Sequence, residues 1–190
     1  MTIRIRQAGM ADLGTICRLR LQRTTWLAER GWDQWTRQGR GLPIERFARA
    51  AGRAVRAGET WIAEIDGEPA GTITINGRAD AGLWSPGEIA DAVIVHYMIV
   101  DVRFSGHGLG PALLAHAAAM ARAARRTWVR LDAWTTNTDL HAYYRRAGFR
   151  LARMAGPDAP GPSGALFERR ADAWLGAPLL TSAQPGRRAG

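Results

Sequence analysis

Val100-Asp101-Val102-Arg103-Phe104-Ser105-Gly106-His107-Gly108-Leu109-Gly110-Pro111-Ala112-Leu113-Leu114 is the stretch that organises this chain. An apolar run ends, a glycine-rich turn follows, and a helix pattern starts at once. Glycines at alternate positions (Gly106, Gly108, Gly110) let the main chain approach a ligand closely and aim several N–H groups into one concavity. A helix start adds unpaired donors and the positive end of its dipole, so an anion is favoured there. Charge-assisted hydrogen bonds contribute about 1.5–3 kcal/mol each, enough for a few of them to hold a diphosphate. Pro111 falls in the first turn, where a missing N–H costs little. The spacing is Gly-x-Gly-x-Gly, which differs from the dinucleotide pattern Gly-x-Gly-x-x-Gly, and the turn lacks the Lys of a Walker-type loop.

Outward from this turn the pattern alternates between the two periods. Ala92 to Val100 is apolar, short and β-branched, which predicts a buried central strand. Leu109 to Arg126 predicts a long Ala-rich helix, Trp128 to Trp134 a strand, Thr138 to Ala147 a helix and Phe149 to Met154 a strand. Gly156 to Gly164 is turn-rich, and Ala165 to Glu168 predicts a last short strand. Upstream, Thr2 to Arg6 alternates as a strand, and Asp12 caps a helix carrying Leu13, Ile16, Cys17, Arg20 and Leu21. A second helical stretch is expected from Thr25 to Trp35, broken at Gly31, and a third from Ile44 to Arg56 behind Pro43. Trp61 to Ile65, Asp66-Gly67 and Ala70 to Ile75 form a hairpin signature. The expected fold is α/β, of α+β type: a single mixed sheet of about six to seven strands with helices on both faces. The domain is expected over residues 1–170. Residues 171–190 are expected to form a loosely ordered tail, with Trp174 to Leu180 offering a contact arm for a homodimer.

Composition narrows the chemistry. All 26 basic residues among the 190 are Arg, against 17 acidic ones, for a net charge of +9. The absence of Lys excludes Schiff-base and pyridoxal-phosphate chemistry on this chain. One cysteine, Cys17, excludes an internal disulfide and a multi-cysteine metal site, and its place on an apolar stripe marks it as core. No metal is expected. The apolar runs are short for a membrane span and the first residues lack a signal-peptide pattern, so a cytoplasmic protein is expected. The arginines are dispersed, which argues against nucleic acid as a partner.

The turn is similar to motif A of the GNAT superfamily, the acyl-CoA-dependent N-acetyltransferases, whose pattern is Arg/Gln-x-x-Gly-x-Gly/Ala after a long strand. Gly108 and Gly110 match it, and Ser105 stands at the usual Arg or Gln. Asn137-Thr138-Asp139-Leu140-His141-Ala142-Tyr143-Tyr144-Arg145-Arg146-Ala147-Gly148-Phe149 resembles the family's motif B, and the resemblance extends over residues 2–155. It implies a sheet splayed beside the strand that precedes motif A. It also implies that acetyl-CoA is the acyl donor and that acetyl passes directly to a primary amine in a ternary complex. The main chain of Met98, Ile99 and Val100 would hold the pantetheine arm. The amides of Ser105, Gly106, His107, Gly108, Leu109 and Gly110 would hold the diphosphate. Asn137 would be a polar contact near the thioester.

Acetyl transfer needs a neutral amine, a polarised carbonyl and a proton for the departing thiolate. Tyr144 matches the family tyrosine that donates to the thiolate. His96, placed by alternation on one face with Ile94 and Met98, is the expected general base, with Asp132 as a second candidate. His107 is expected at a phosphate or solvent, and His116 and His141 on solvated helix faces. Trp26, Trp32 and Trp35 with Glu29 and Asp33 are expected at the pocket for the acceptor, a small molecule or peptide amine. Two rival readings share these residues: a non-catalytic acyl-CoA sensor, and an arginine-rich nucleic-acid-binding protein.

Overall fold

The apolar run Ala92–Val100 becomes the centre of a seven-stranded mixed sheet in the computed structural model, which describes residues 1–38, 42–156 and 163–174. The strands are β1 (Ile3–Gln7), β2 (Thr60–Ile65), β3 (Glu68–Asn76), β4 (Ala92–Val100), β5 (Trp128–Ala133), β6 (Arg150–Met154) and β7 (Ala165–Arg170). Their order across the sheet is β1-β2-β3-β4-β5-β7-β6, and every neighbouring pair is antiparallel except β4 and β5. The helices are α1 (Leu13–Ala28), α2 (Ile44–Arg56), α3 (Pro86–Ala90), α4 (Leu109–Ala123) and α5 (Thr138–Arg146).

Alternation along the strands builds two cores. Ala63, Ile73, Val93, Val95, Val129, Leu131 and Phe167 point to one face, where α4 covers them with Leu113, Leu114 and Ala117 and α5 adds Tyr144. Ile62 and Ile99 point to the other, under Ile16 and Leu19 of α1 and Phe47 of α2. Small alanines on the buried stripe of α4 let it lie close against β3, β4 and β5.

Several expectations shift. Thr25 continues α1, which ends at Ala28; Gly31, at φ 77°, turns the chain there, so no second helix follows. Pro86–Ala90 is a further helix that the hydrophobic pattern does not announce; its signal is the capping box that Ser85 and Glu88 form around Pro86. Residues 171–174, expected as the start of a tail, form a 3-10 turn whose Ala171 is buried, while residues 175–190, including most of the expected contact arm, lie outside the described residues. Among the described residues no helix is long and apolar enough to cross a membrane.

Two features of β4 position the site. Its pairing with β5 runs only from Ala92 opposite Trp128 to Val95 opposite Leu131; beyond that point the two parallel strands part. On its other side, Thr72 pairs with Ile99 and Thr74 with His96, so Ile73 alone opposes both Tyr97 and Met98. This is a β-bulge, and Tyr97 carries it at φ 48°, an uncommon and strained conformation for a large side chain.

Candidate active site

The bulge reverses alternation. Before it, Val93 and Val95 pack on the α4 face; after it, Met98 and Val100 do. Tyr97 and Ile99 face α1 and α2, with Tyr97 edge-on to Phe47 at 5.1 Å. His96 therefore shares a face with Ile94 and Tyr97, while Met98 is turned to the opposite side from the one expected, because the extra residue breaks the period of two.

The main chain beyond the bulge also sorts itself. Asp101 N–H donates to Ala70 O at 2.8 Å, so alternation points the Ile99 groups toward β3 and the Met98 and Val100 groups into the gap beside β5. Of the three residues expected along the pantetheine, Ile99 is thus turned away. The Val100 carbonyl accepts from the Arg23 guanidinium of α1. Gln22 of α1 receives the Val102 N–H and donates to Asp101 at 3.0 Å, which ties the entry of the glycine turn to that helix.

In the turn itself, Ser105 N–H donates to Val102 O at 3.2 Å and His107 N–H to Phe104 O at 3.3 Å. These two amides, both expected on a ligand, close the turn. Among the described residues the N–H groups of Gly106, Gly108, Leu109 and Gly110 meet no acceptor, and Pro111 has none to satisfy. Gly106 and Gly108 sit at φ 85° and 79° with open space where a Cβ would stand. The result is four convergent donors at the mouth of a 15-residue helix, the arrangement that binds phosphate oxygens. The His107 ring is exposed, and its Nδ1 donates to Ser105 O at 3.2 Å.

Gly110 has a different reason. A Cβ there would collide with the Tyr143 hydroxyl, which is buried and has no hydrogen-bond partner among the described residues.

The two faces of the gap carry different chemistry. On the α4 side, Tyr144 is buried between Phe149 and Phe167, and burial together with the nearby Asp132 pushes its phenol well above the ordinary range, so it stays protonated. On the α1 side stands Asp132, two residues along β5 from Arg130 and one step past the last β4–β5 pair. Burial pushes its carboxyl up to about 7, with Asp80 adding to the shift, and among the described residues no cation pairs with it. Arg130 is not its partner: that guanidinium binds buried Glu168 at 2.8 Å, tying β5 to β7.

His96 is held by one ring nitrogen. Its Nε2 lies 2.8 Å from the Arg78 carbonyl, which can only accept, so this nitrogen carries the proton and Nδ1 is left as the basic one; burial pushes the ring pKa down. Asn137 anchors elements: it is 3% exposed, its Oδ1 caps α5 by accepting from Leu140 N–H, and its Nδ2 donates to Gln34 at 2.9 Å. His141 is buried with Nε2 on Trp134 O, and His116 is half-buried against Trp61; neither lies on a solvated face.

The expected aromatic pocket is only partly assembled. Trp35, at φ 73°, stacks on Arg20 at 3.7 Å, while Trp26 is bracketed by Arg23 and Arg30. Asp33 accepts from the Trp134 indole at 3.2 Å, pinning the segment after α1 across the end of β5. Tyr97, Arg20 and Asp80, absent from the expected site, all lie on its α1 side; no residue pattern announces a bulge, and Arg20 reads as one more dispersed arginine.

Known proteins share this fold. Residues 56–151 match the family model for the acetyltransferase (GNAT) domain. An uncharacterized N-acetyltransferase of Bacillus subtilis, YesJ, is 28% identical over 161 residues, which is 83% of this chain and 84% of that protein. A GNAT-family acetyltransferase from Listeria monocytogenes superposes with a TM-score of 0.69 at 23% identity, over 87% of this chain and 93% of that one. The PaiA N-acetyltransferase of Thermoplasma acidophilum, solved with coenzyme A, superposes with a TM-score of 0.63 at 16% identity, over 90% and 99%.

Proposed function

Because the chain belongs to the GNAT acetyltransferase family, we propose that it transfers the acetyl group of acetyl-CoA to a primary amine by direct attack in a ternary complex. The observation that supports the reading is the arrangement about the β4–β5 gap: Tyr144 on the α4 side, Asp132 on the other, and, among the described residues, four amides without an acceptor in the turn that follows β4. Gly106, Gly108, Leu109 and Gly110 would take the diphosphate oxygens through their N–H groups. Met98, with the Val100 N–H, offers the strand-like edge on which an extended amide-bearing arm hydrogen-bonds, as a further strand would. Neither subsite requires a metal, and the described residues hold no group of three or more His, Cys, Asp or Glu that could bind one.

Tyr144, kept neutral by burial, gives its proton to the leaving sulfur on the α4 side. The base is better assigned to Asp132 than to His96. A base works best with a pKa near the operating pH, and Asp132 has that with no cation among the described residues to hold its proton off, whereas burial pushes the His96 ring below its ordinary value. Asp80 reinforces the negative field that draws an ammonium to this face.

The test is thiol release from acetyl-CoA across a panel of primary amines, beside calorimetry with CoA. Wild type should turn over at least one amine class; Tyr144→Phe should bind CoA normally and lose about 10²-fold in kcat. CoA binding with no turnover of any amine would favour a non-catalytic CoA-binding module.

A further inference from the structure

Arg20 is the anomaly of the α1 side. It projects from the middle of a helix, is 3% exposed, and has no carboxylate partner among the described residues. Two of its N–H groups are used, on Thr24 Oγ1 and the Leu42 carbonyl; its Nε is buried with no partner among the described residues. Burial pulls its pKa down to about 10, offset only in part by the Tyr97 phenol. A buried unpaired cation is among the most costly features a fold can carry, and it persists where something outside the chain completes it.

Its surroundings say what that something is. The guanidinium carbon lies 3.7 Å over the Trp35 ring, and a guanidinium against an aromatic face keeps its N–H groups for in-plane partners, among which a carboxylate matches their fork best. Tyr97, the strained bulge residue, feels Arg20 and Arg53 as positive charges and Asp80 and Asp132 as negative ones. Arg20 and Tyr97 both pack on the Phe47 ring, so this face carries a positive group under Trp35 and a carboxyl, Asp132, at the end of β5.

We propose that the acceptor is a zwitterion, a small amine bearing its own carboxylate, whose acid group pairs with the fork of Arg20 while its amino group meets Asp132. This rests on the acetyltransferase reading above and names its substrate class. A polycationic amine would put positive charge against Arg20, and an uncharged alkylamine would leave the guanidinium as it is now.

The experiment compares a set of L-amino acids with their primary amides, as acceptors and as ligands of the CoA-loaded protein by calorimetry. Wild type should favour the acid over its amide by about tenfold or more in kcat/KM and in affinity. Arg20→Met should abolish that preference, bringing the acid-to-amide ratio of kcat/KM to about one whatever the absolute rates, and Arg20→Lys, which keeps charge but not the fork, should retain only part of it. The melting temperature separates a structural role: a cation completed by a ligand should be replaceable by Met without loss in the free protein, whereas a structural clamp on Trp35 would melt lower. Equal use and equal binding of acids and amides by wild type, or an unchanged ratio in Arg20→Met, would overturn the inference and leave the acetyltransferase reading standing. Preferential acid binding with no turnover of any amine would support the Arg20 subsite and sink the enzymatic reading.

Discussion

Asp132 owes its position to one missing hydrogen-bonded step: β5 follows β4 as far as Leu131 and the next residue faces the gap. Its carboxyl, at about 7 against an ordinary 3.8, makes two predictions with opposite readouts. For activity, the limb of kcat/KM that rises with pH should have a midpoint near that value, and Asp132→Asn should remove the limb and most of the rate. For stability the sign reverses. The folded protein holds this proton where the unfolded chain has released it, so Asp132 destabilises the fold progressively as pH rises from about 4 to above 7. Asp132→Asn should therefore melt higher than wild type at pH 8 and equally at pH 3; equal melting at both would mean the carboxyl is not held up. What separates the two base candidates was not legible in the sequence. His96 and Asp132 both look poised on alternating strands, and it is burial, pushing the Asp132 carboxyl up and the His96 ring down, that distinguishes them. Tyr144 is expected from the resemblance alone, and the structure buries it between Phe149 and Phe167.

At the scale of elements, the glycine turn was readable and its division of labour was not. Strand, turn and helix followed from apolar runs and glycine placement. Which amides remain free depends on the turn closing on Val102 and Phe104, a matter of dihedral angles that Ser105 and His107 do not reveal. The same holds for α1, which absorbed Thr25 because helix propensity continues past a stretch that only tertiary packing could end, and for α3, whose capping box was overlooked beside Gly87. The contact of α4 with α5 yields a test independent of catalysis. Gly110→Ala drives a methyl into the Tyr143 hydroxyl, so it should lower stability and weaken CoA binding together. Tyr143→Phe removes a buried oxygen that has no partner and should be neutral or slightly stabilising. The double variant should recover much of the loss, an interaction of about 0.5–3 kcal/mol in a double-mutant cycle. Strictly additive effects would show that the two side chains do not meet.

For the whole molecule, strand order was the deduction with the least support in the sequence and the greatest consequence. Alternating elements predicted a mixed sheet, but nothing in β7 says that it inserts between β5 and β6, which leaves β5 paired along its length on one side and only halfway on the other. That asymmetry leaves the far half of β5 paired to β7 alone and its other edge toward the gap. The net charge of +9 acts on the same scale. A donor carrying several phosphate charges approaches a strongly positive protein, and Gly106 and Gly108 of the glycine turn are exposed, so the field should speed encounter as well as strengthen contact. Between about 0.01 M and 1 M salt the screening length falls from about 30 Å to about 3 Å. The association rate of CoA should then drop by about tenfold or more, with a smaller change in dissociation, because the main-chain hydrogen bonds act at contact. Stopped-flow binding across that range separates the two. A flat association rate would mean that the arginines, many already paired with carboxylates on the surface, cancel locally and cast no net field over the gap.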